Sequence, residues 1–504
     1  MAAIITEKFR THNAKQFIED FSESGQSNYV FIGRSHDWTD ENDPPAPANS
    51  ESEEIGAFED MIALKKVTST DIAHGLVRYD WTENTKYDEW RDNYSASNTT
   101  NVTGVSNFFD GRGYVITDEF KVYKCIKTGG SPGSYVNSTD KPTTVSTTLP
   151  ETTGDGYMWK FMYAVTASDV IKFVTNDFIP VKTLGVKAAV VGTGTNGGYG
   201  TTATDDGSAQ WDVEQAAVDG AIYHYVVTAA GSDYNNGSTN TFTLDQNIQG
   251  DGSGAVATLT FTSGALASVA FKDASSWGTG YKRASFPTLN SAIAAGEYDT
   301  GSATITAGTG ATIHAVISPR HGHGANPIEE FGGNYAIVNS RLEFGEGLGD
   351  FPTDNDFRRI GLIKNPVQSS DSAIAVGTSM TATNTITVAS ATNISVDDVL
   401  TDAASEAVTT AKVRVVSKST NDLKTLPVVN VGGEYVAFAN SDEVFVNGSG
   451  TKSTDVTADG VSKTANAAHP EMTRFTGQIL YVENRGAVTR AADQIEDIKL
   501  IIEM

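Results

Sequence analysis

Apolar residues in this chain change spacing several times, and each change predicts an element. Over residues 11–24, Ala14, Phe17, Ile18 and Phe21 recur at helical spacing behind Thr11 or Asn13 as a cap, which predicts a short amphipathic helix ending near Gly25. A second helix is predicted over 51–64 through Ile55, Phe58, Met61 and Ile62, with acids crowding its first turn where the helix dipole is positive. Between them, 29–32 reads as an apolar strand and 33–47 as an acidic, Pro-rich loop. Strands are predicted at 76–81, 114–117, 121–126, 157–165 and 179–181, with a helix or turn at 167–173.

From about 186 to 318 the pattern turns to Gly, Ala, Ser and Thr, and a two-copy repeat emerges. GSDY at 231–234 followed by GSGAVATLT at 252–260 is echoed by GTGY at 278–281 followed by GTGATIHAVI at 308–317. Each copy offers a glycine turn and then an alternating β-branched strand, which predicts a compact all-β module; two copies are too few for a solenoid. A second Thr/Ser/Val-rich stretch, 369–465, carries predicted strands at 385–388, 411–417, 428–431 and 443–446. The tail predicts apolar strands at 478–482 and 497–502 around a polar connection. A terminal strand frays unless it is tied down, so the tail is expected to close a sheet begun much earlier.

Composition narrows the class. Only 19% of the 504 residues are charged and 39% are apolar, with Gly, Ser, Thr, Asn and Asp abundant, as in a turn-rich β protein with more than one domain. Acids outnumber Lys plus Arg by 62 to 36, for a net charge of −26, so binding to nucleic acid or anionic lipid through a broad basic patch is not expected. Cys125 is the only cysteine, which rules out an intrachain disulfide. No apolar run approaches the length of a membrane span, and no signal-peptide core is visible.

Candidate chemistry is sparse. Gly192, Gly194 and Gly197 spell the dinucleotide fingerprint, but the polar, Gly-rich continuation offers no helix start, so no cofactor is expected. His321 and His323, near Glu329 and Glu330, are weak metal candidates, because zinc sites draw on three or four ligands and no second histidine cluster exists. Asp-rich turns at 205–207 and 250–254 lack the ligand spacing of a calcium loop. Cys125 lies in the alternating strand VYKCIK, where a half-buried thiol is the default. No nucleophile elbow, P-loop or HExxH motif is present, so no catalytic residue is assigned.

Several pieces, in order, do carry a resemblance: KFRT at 8–11, FIGRS at 31–35 followed by Trp38, DGYMW at 155–159, TNDFI at 175–179, and ILYVENR at 479–485 followed by a DQIE strand. Together they resemble the gene-eight baseplate wedge family of T-even-like contractile-tailed bacteriophages. The match covers roughly 1–185, 319–368 and 466–504, which would make 186–318 and 369–465 two inserted all-β modules. The resemblance implies a mainly β fold, a β-sandwich core with a few short helices in loops. It also implies a structural subunit in the virion tail baseplate, assembled in the host cytoplasm, without enzymatic activity. Its implied partners are a second copy of itself, as a homodimer, and other wedge subunits, with a part in the rearrangement that precedes sheath contraction. Large aromatics and arginines anchor interfaces, so Phe17, Arg34, Trp38, Phe58 and Arg485 are the interface candidates. The alternative from another class is a tail-associated glycan-binding or glycan-degrading protein, suggested by the Gly/Thr-rich inserts.

Overall fold

A computed structural model describes residues 4–184, 207–236, 241–286, 298–299, 305–306, 308–343, 350–458, 470–491 and 494–504. The fingerprint glycines at 192–197 lie outside these residues, as does most of the acidic turn at 205–207. The chain is mainly β with short helices, and it divides into two compact units. One comprises 1–15, 73–336 and 502–504; the other comprises 16–72 and 337–501.

The second unit is organised by an antiparallel five-stranded sheet in the order Ser379–Thr381, Met61–Val67, Asn28–Gly33, Asn355–Lys364, Gln478–Arg490. Asn28–Gly33 is central and every one of its residues is buried, which is why it reads as a continuous apolar run. Tyr29, Phe31, Leu64, Ile363 and Met380 pack there with Ala57 and Phe58 of the helix Glu51–Asp60. That helix starts as expected, with the Ser50 hydroxyl accepting the Glu53 N–H. It stops four residues before the predicted end. Met61, Ile62, Ala63 and Leu64 are all buried, and a helix of this length would bury only one face, whereas a central strand buries both.

The tail is tied down as its apolar pattern predicts, but over a longer stretch. Gln478–Arg490 runs thirteen residues along Asn355–Lys364, with two register shifts, so the expected polar connection after 482 is strand. Its residues are mostly half-buried or exposed in alternation, as befits the outer strand of the sheet. The second Thr/Ser/Val-rich stretch closes into a six-stranded barrel, around a core that includes Ile386, Leu400, Val413, Val415, Leu423 and Val444. Closure leaves no open edge on a sequence rich in short strands. Residues 428–431 are not a strand, contrary to expectation. The strand is Asp422–Pro427, and beyond it the Asn430 amide caps the carbonyls of Val408 and Thr410.

In the first unit, Tyr114–Ile116, Lys121–Lys127, Met158–Ala164 and Glu151–Thr152 form an antiparallel sheet. Phe178–Val181 pairs with Ile72–Val77, a strand set earlier than the predicted 76–81. The N-terminal helix runs Glu7–Asp20, starting four residues before the expected cap, so Thr11 is a buried residue inside it. Residues 167–173 form the helix Ala167–Phe173, capped by the Thr166 hydroxyl.

The glycine repeat has a physical basis that no single copy reveals. Strand Ile222–Ser232 pairs with Thr309–Ile317, and Trp277–Thr279 pairs with Ser253–Thr262, so the glycine turn of each copy lies on the strand of the other. The tyrosines cross over in the same way. A Cβ on Gly252 would stand 2.4 Å from the Tyr281 ring, and one on Gly308 would stand 2.8 Å from the Tyr234 ring and 2.1 Å from the Ser232 carbonyl oxygen. Tyr281 donates to the Ile248 carbonyl and Tyr234 accepts the Ala311 N–H. The segment is not purely β, since Gln210–Ala216 is a short helix.

Candidate functional site

Of the residues singled out by sequence, Arg34, Trp38 and Arg485 meet in one cluster of the second unit, and His321 and His323 lie in the first. In the second unit the loop after Asn28–Gly33 folds back on the tail strand. Arg34, at φ 58°, lays its guanidinium 3.6 Å from the centre of the Trp38 ring, and the Trp38 indole donates to the Arg485 carbonyl at 2.9 Å. Glu41 is the hub. Its carboxylate accepts the Trp38 N–H at 2.6 Å, the Arg358 Nε at 2.8 Å and the Ala487 N–H at 3.1 Å. Buried Arg358 also reaches Asp37 at 2.5 Å and Asp356 at 3.1 Å. Its neighbour Arg359 binds Glu53 at 2.6 Å and Asn484 at 2.8 Å, while the Asn484 amide donates to the Pro45 carbonyl.

FIGRS with Trp38, the Arg358–Arg359 pair and the ENR of the tail therefore meet in one place. Asp60 lies beneath them, 3.5 Å from Arg34 and 3.4 Å from Arg359. Burial raises its pKa, and the two arginines only partly offset that. His36 is pushed down to about 3 by burial and by the surrounding arginines, so the cluster holds it neutral.

The five interface candidates separate on this geometry. Arg485 is exposed, and Phe17 is half-buried against Phe21 on the N-terminal helix. Arg34 and Trp38 are half-buried and engaged in the loop latch just described. Phe58 is 6% exposed and belongs to the core cluster of the central sheet, with the ring of exposed Phe475 5.7 Å from its own, so its side chain is a core anchor. Helical spacing made it look like the apolar face of a surface helix; the strand that follows covers that face.

In the first unit His321 and His323 diverge. His321, at φ 72°, is exposed, and its N–H is held by Asp219 at 2.7 Å. His323 is buried, with Nδ1 2.7 Å from Glu330 Oε1. No group of three or more His, Cys, Asp or Glu placed to hold a metal occurs among the described residues. Glu330 instead meets Lys124, whose Nζ lies 2.5 Å from the same Oε1, while the Gly324 N–H donates to Oε2 at 2.7 Å. The Lys124 ammonium also lies 4.0 Å from the centre of the Trp90 ring. Glu330 is held at about 2: burial opposes its charge, and Lys124 and His323 overcome that.

Sequence reasoning missed this cluster because VYKCIK alternates as if Lys124 faced solvent, whereas the strand is buried on both faces. It also missed a second buried acid, Glu89, which lies outside any helix or strand and so has no periodic pattern to mark it. Glu89 accepts from Arg91 at 2.7 Å and from the Thr128 N–H at 2.9 Å, with His224 at 3.4 Å. Cys125 is buried and its pKa is raised by burial, which leaves it an inert thiol.

The chain is mainly β, and Arg34, Trp38 and Arg358 are engaged in contacts within it. Residues 3–128 match a protein-family model described as Phage-Gp8, bacteriophage T4 Gp8. The chain is also 26% identical, over 207 residues, to the baseplate wedge protein gp8 of Enterobacteria phage T4; the alignment covers 36% of this chain and 60% of that relative. The resemblance drawn from the motifs is thus shown, and the chain spans about three-fifths of the relative it matches.

Proposed function

We propose that this chain is a structural subunit of a phage tail baseplate wedge, that it acts as a homodimer bridging neighbouring wedge proteins, and that it takes part in the rearrangement preceding sheath contraction. The observation that carries the reading is the match of residues 3–128 to the gp8 family model, joined by the convergence of the motif segments on one loop latch. A wedge subunit needs rigid, shaped surfaces and no reacting groups, and the motif residues here serve rigidity. The contact surface proposed is the latched loop 33–47 with exposed Arg485, and the N-terminal helix with Phe17. The proposed location is the virion tail baseplate, on the strength of the relative's name; no helix among the described residues is long and apolar enough to cross a membrane. The strands of 222–317 pair antiparallel, unlike the parallel β-helix of depolymerising tail spikes, so the glycan reading gains no support.

Mass spectrometry of purified tails should find this chain in the baseplate, and light scattering of the purified protein should give twice the chain mass. A chain absent from purified tails would overturn the wedge assignment. A monomeric mass would overturn the dimer alone.

A further inference from the structure

We propose that Lys124 and Glu330 condense into an intramolecular isopeptide bond, joining the two segments that flank the Gly-rich insert. The assignment rests on the geometry of four groups in the first unit. The Lys124 amine is fully buried and lies 2.5 Å from Glu330 Oε1, already in contact with the carboxyl group it would attack. Trp90 and Phe108 fix it there, with ring centres 4.0 and 4.8 Å from Nζ. The Gly324 N–H, 2.7 Å from Oε2, is placed to stabilise negative charge on that oxygen as the tetrahedral intermediate forms. His323 Nδ1, 2.7 Å from Oε1, is placed to hand a proton to the departing oxygen.

The step balances without any co-reactant. The bond from Nζ to Cδ of Glu330 forms and the bond from Cδ to Oε1 breaks. Two of the three ammonium protons leave with Oε1 as water, one of them relayed through His323, and the third stays on the amide nitrogen. Oε2 becomes the amide oxygen and keeps its hydrogen bond from Gly324. Burial favours this direction, because an ion pair is replaced by a neutral amide where desolvated charge is costly. It also brings the Lys124 pKa down to about 8, which raises the share of nucleophilic amine. Glu330 and Trp90 line a cavity of about 1020 Å³ into which the released water can pass.

Residues 124 and 330 bracket the whole repeat module, so the bond would fasten the insert at its root. Intact mass measured in denaturant tests the idea on the natural chain. The expected result is a mass one water below that of the sequence, with a branched tryptic peptide joining the segments around 124 and 330 and no cleavage after Lys124. Lys124→Arg, which keeps the charge and cannot form the amide, should restore the full mass. A natural chain of full mass would overturn the proposal. So would a water deficit that maps to an Asp-Gly succinimide, such as Asp155-Gly156, or one that persists in Lys124→Arg.

Discussion

At the scale of single residues, the polar groups that matter here work against burial. Trp38 is the clearest case for an interface candidate that first serves its own chain, because its indole N–H, its backbone N–H and its ring face are all engaged. Replacing it with Ala removes one of the three links from loop 33–47 to the tail strand, beside those of Glu41 to Ala487 and Asn484 to Pro45, while leaving the central sheet intact. Trp38→Ala should raise amide exchange across 35–45 and at Ala487 by at least tenfold, with no change in the barrel strands, as read by hydrogen-exchange mass spectrometry. Unchanged exchange in the loop would show that the arginine pairs hold it without Trp38. His74 makes a second residue-scale prediction. It is buried, with Nδ1 3.2 Å from the Gly333 carbonyl, and burial pushes its pKa down to about 4. The unfolded chain takes up the proton near pH 6.5 and the folded chain only near pH 4, so stability is full above about 6.5 and declines as pH falls between the two. His74→Gln should flatten the urea-unfolding stability profile over that interval by on the order of 2–3 kcal/mol.

At the scale of elements, most strands were legible and their ends were not. Asn28–Gly33, Lys121–Lys127, Met158–Ala164 and Glu443–Val446 lie where alternation or an apolar run placed them. The helix predicted over 51–64 was overlong because IGAFEDMIAL satisfies helical spacing throughout, and only the demand for a strand beside Asn28–Gly33 ends it at Asp60. The repeat was visible as two similar strings, yet its reciprocity was hidden, since nothing local shows that Tyr234 packs over Gly308 and Tyr281 over Gly252. That clasp is tight enough to be tested with one methyl group. Gly308→Ala should destabilise the protein by about 1–3 kcal/mol, because its new carbon meets backbone that cannot retreat as a side chain would. Urea unfolding followed by Tyr fluorescence would measure the loss, and a cost within ~0.3 kcal/mol of zero would refute the clasp.

For the whole molecule, the acid excess, the lack of a disulfide partner for Cys125 and the mainly β character follow from composition and spacing, and the structure agrees on the last. The sheet of the second unit is assembled from segments around 30, 60, 360, 380 and 480, in an order that chain position does not imply. Sequence by itself determined which residues seek burial and at what period, because side-chain direction repeats every two residues in a strand and every 3.6 in a helix. The motif order was likewise readable without coordinates and pointed to the gp8 family. Tertiary structure alone decided that Trp38, Arg358 and the ENR of the tail meet, that Lys124 faces Glu330 inside the protein, and that residues 384–458 close into a barrel. Those outcomes depend on which distant surfaces fit well enough to offset the entropy of bringing them together, and a local pattern carries no record of that fit.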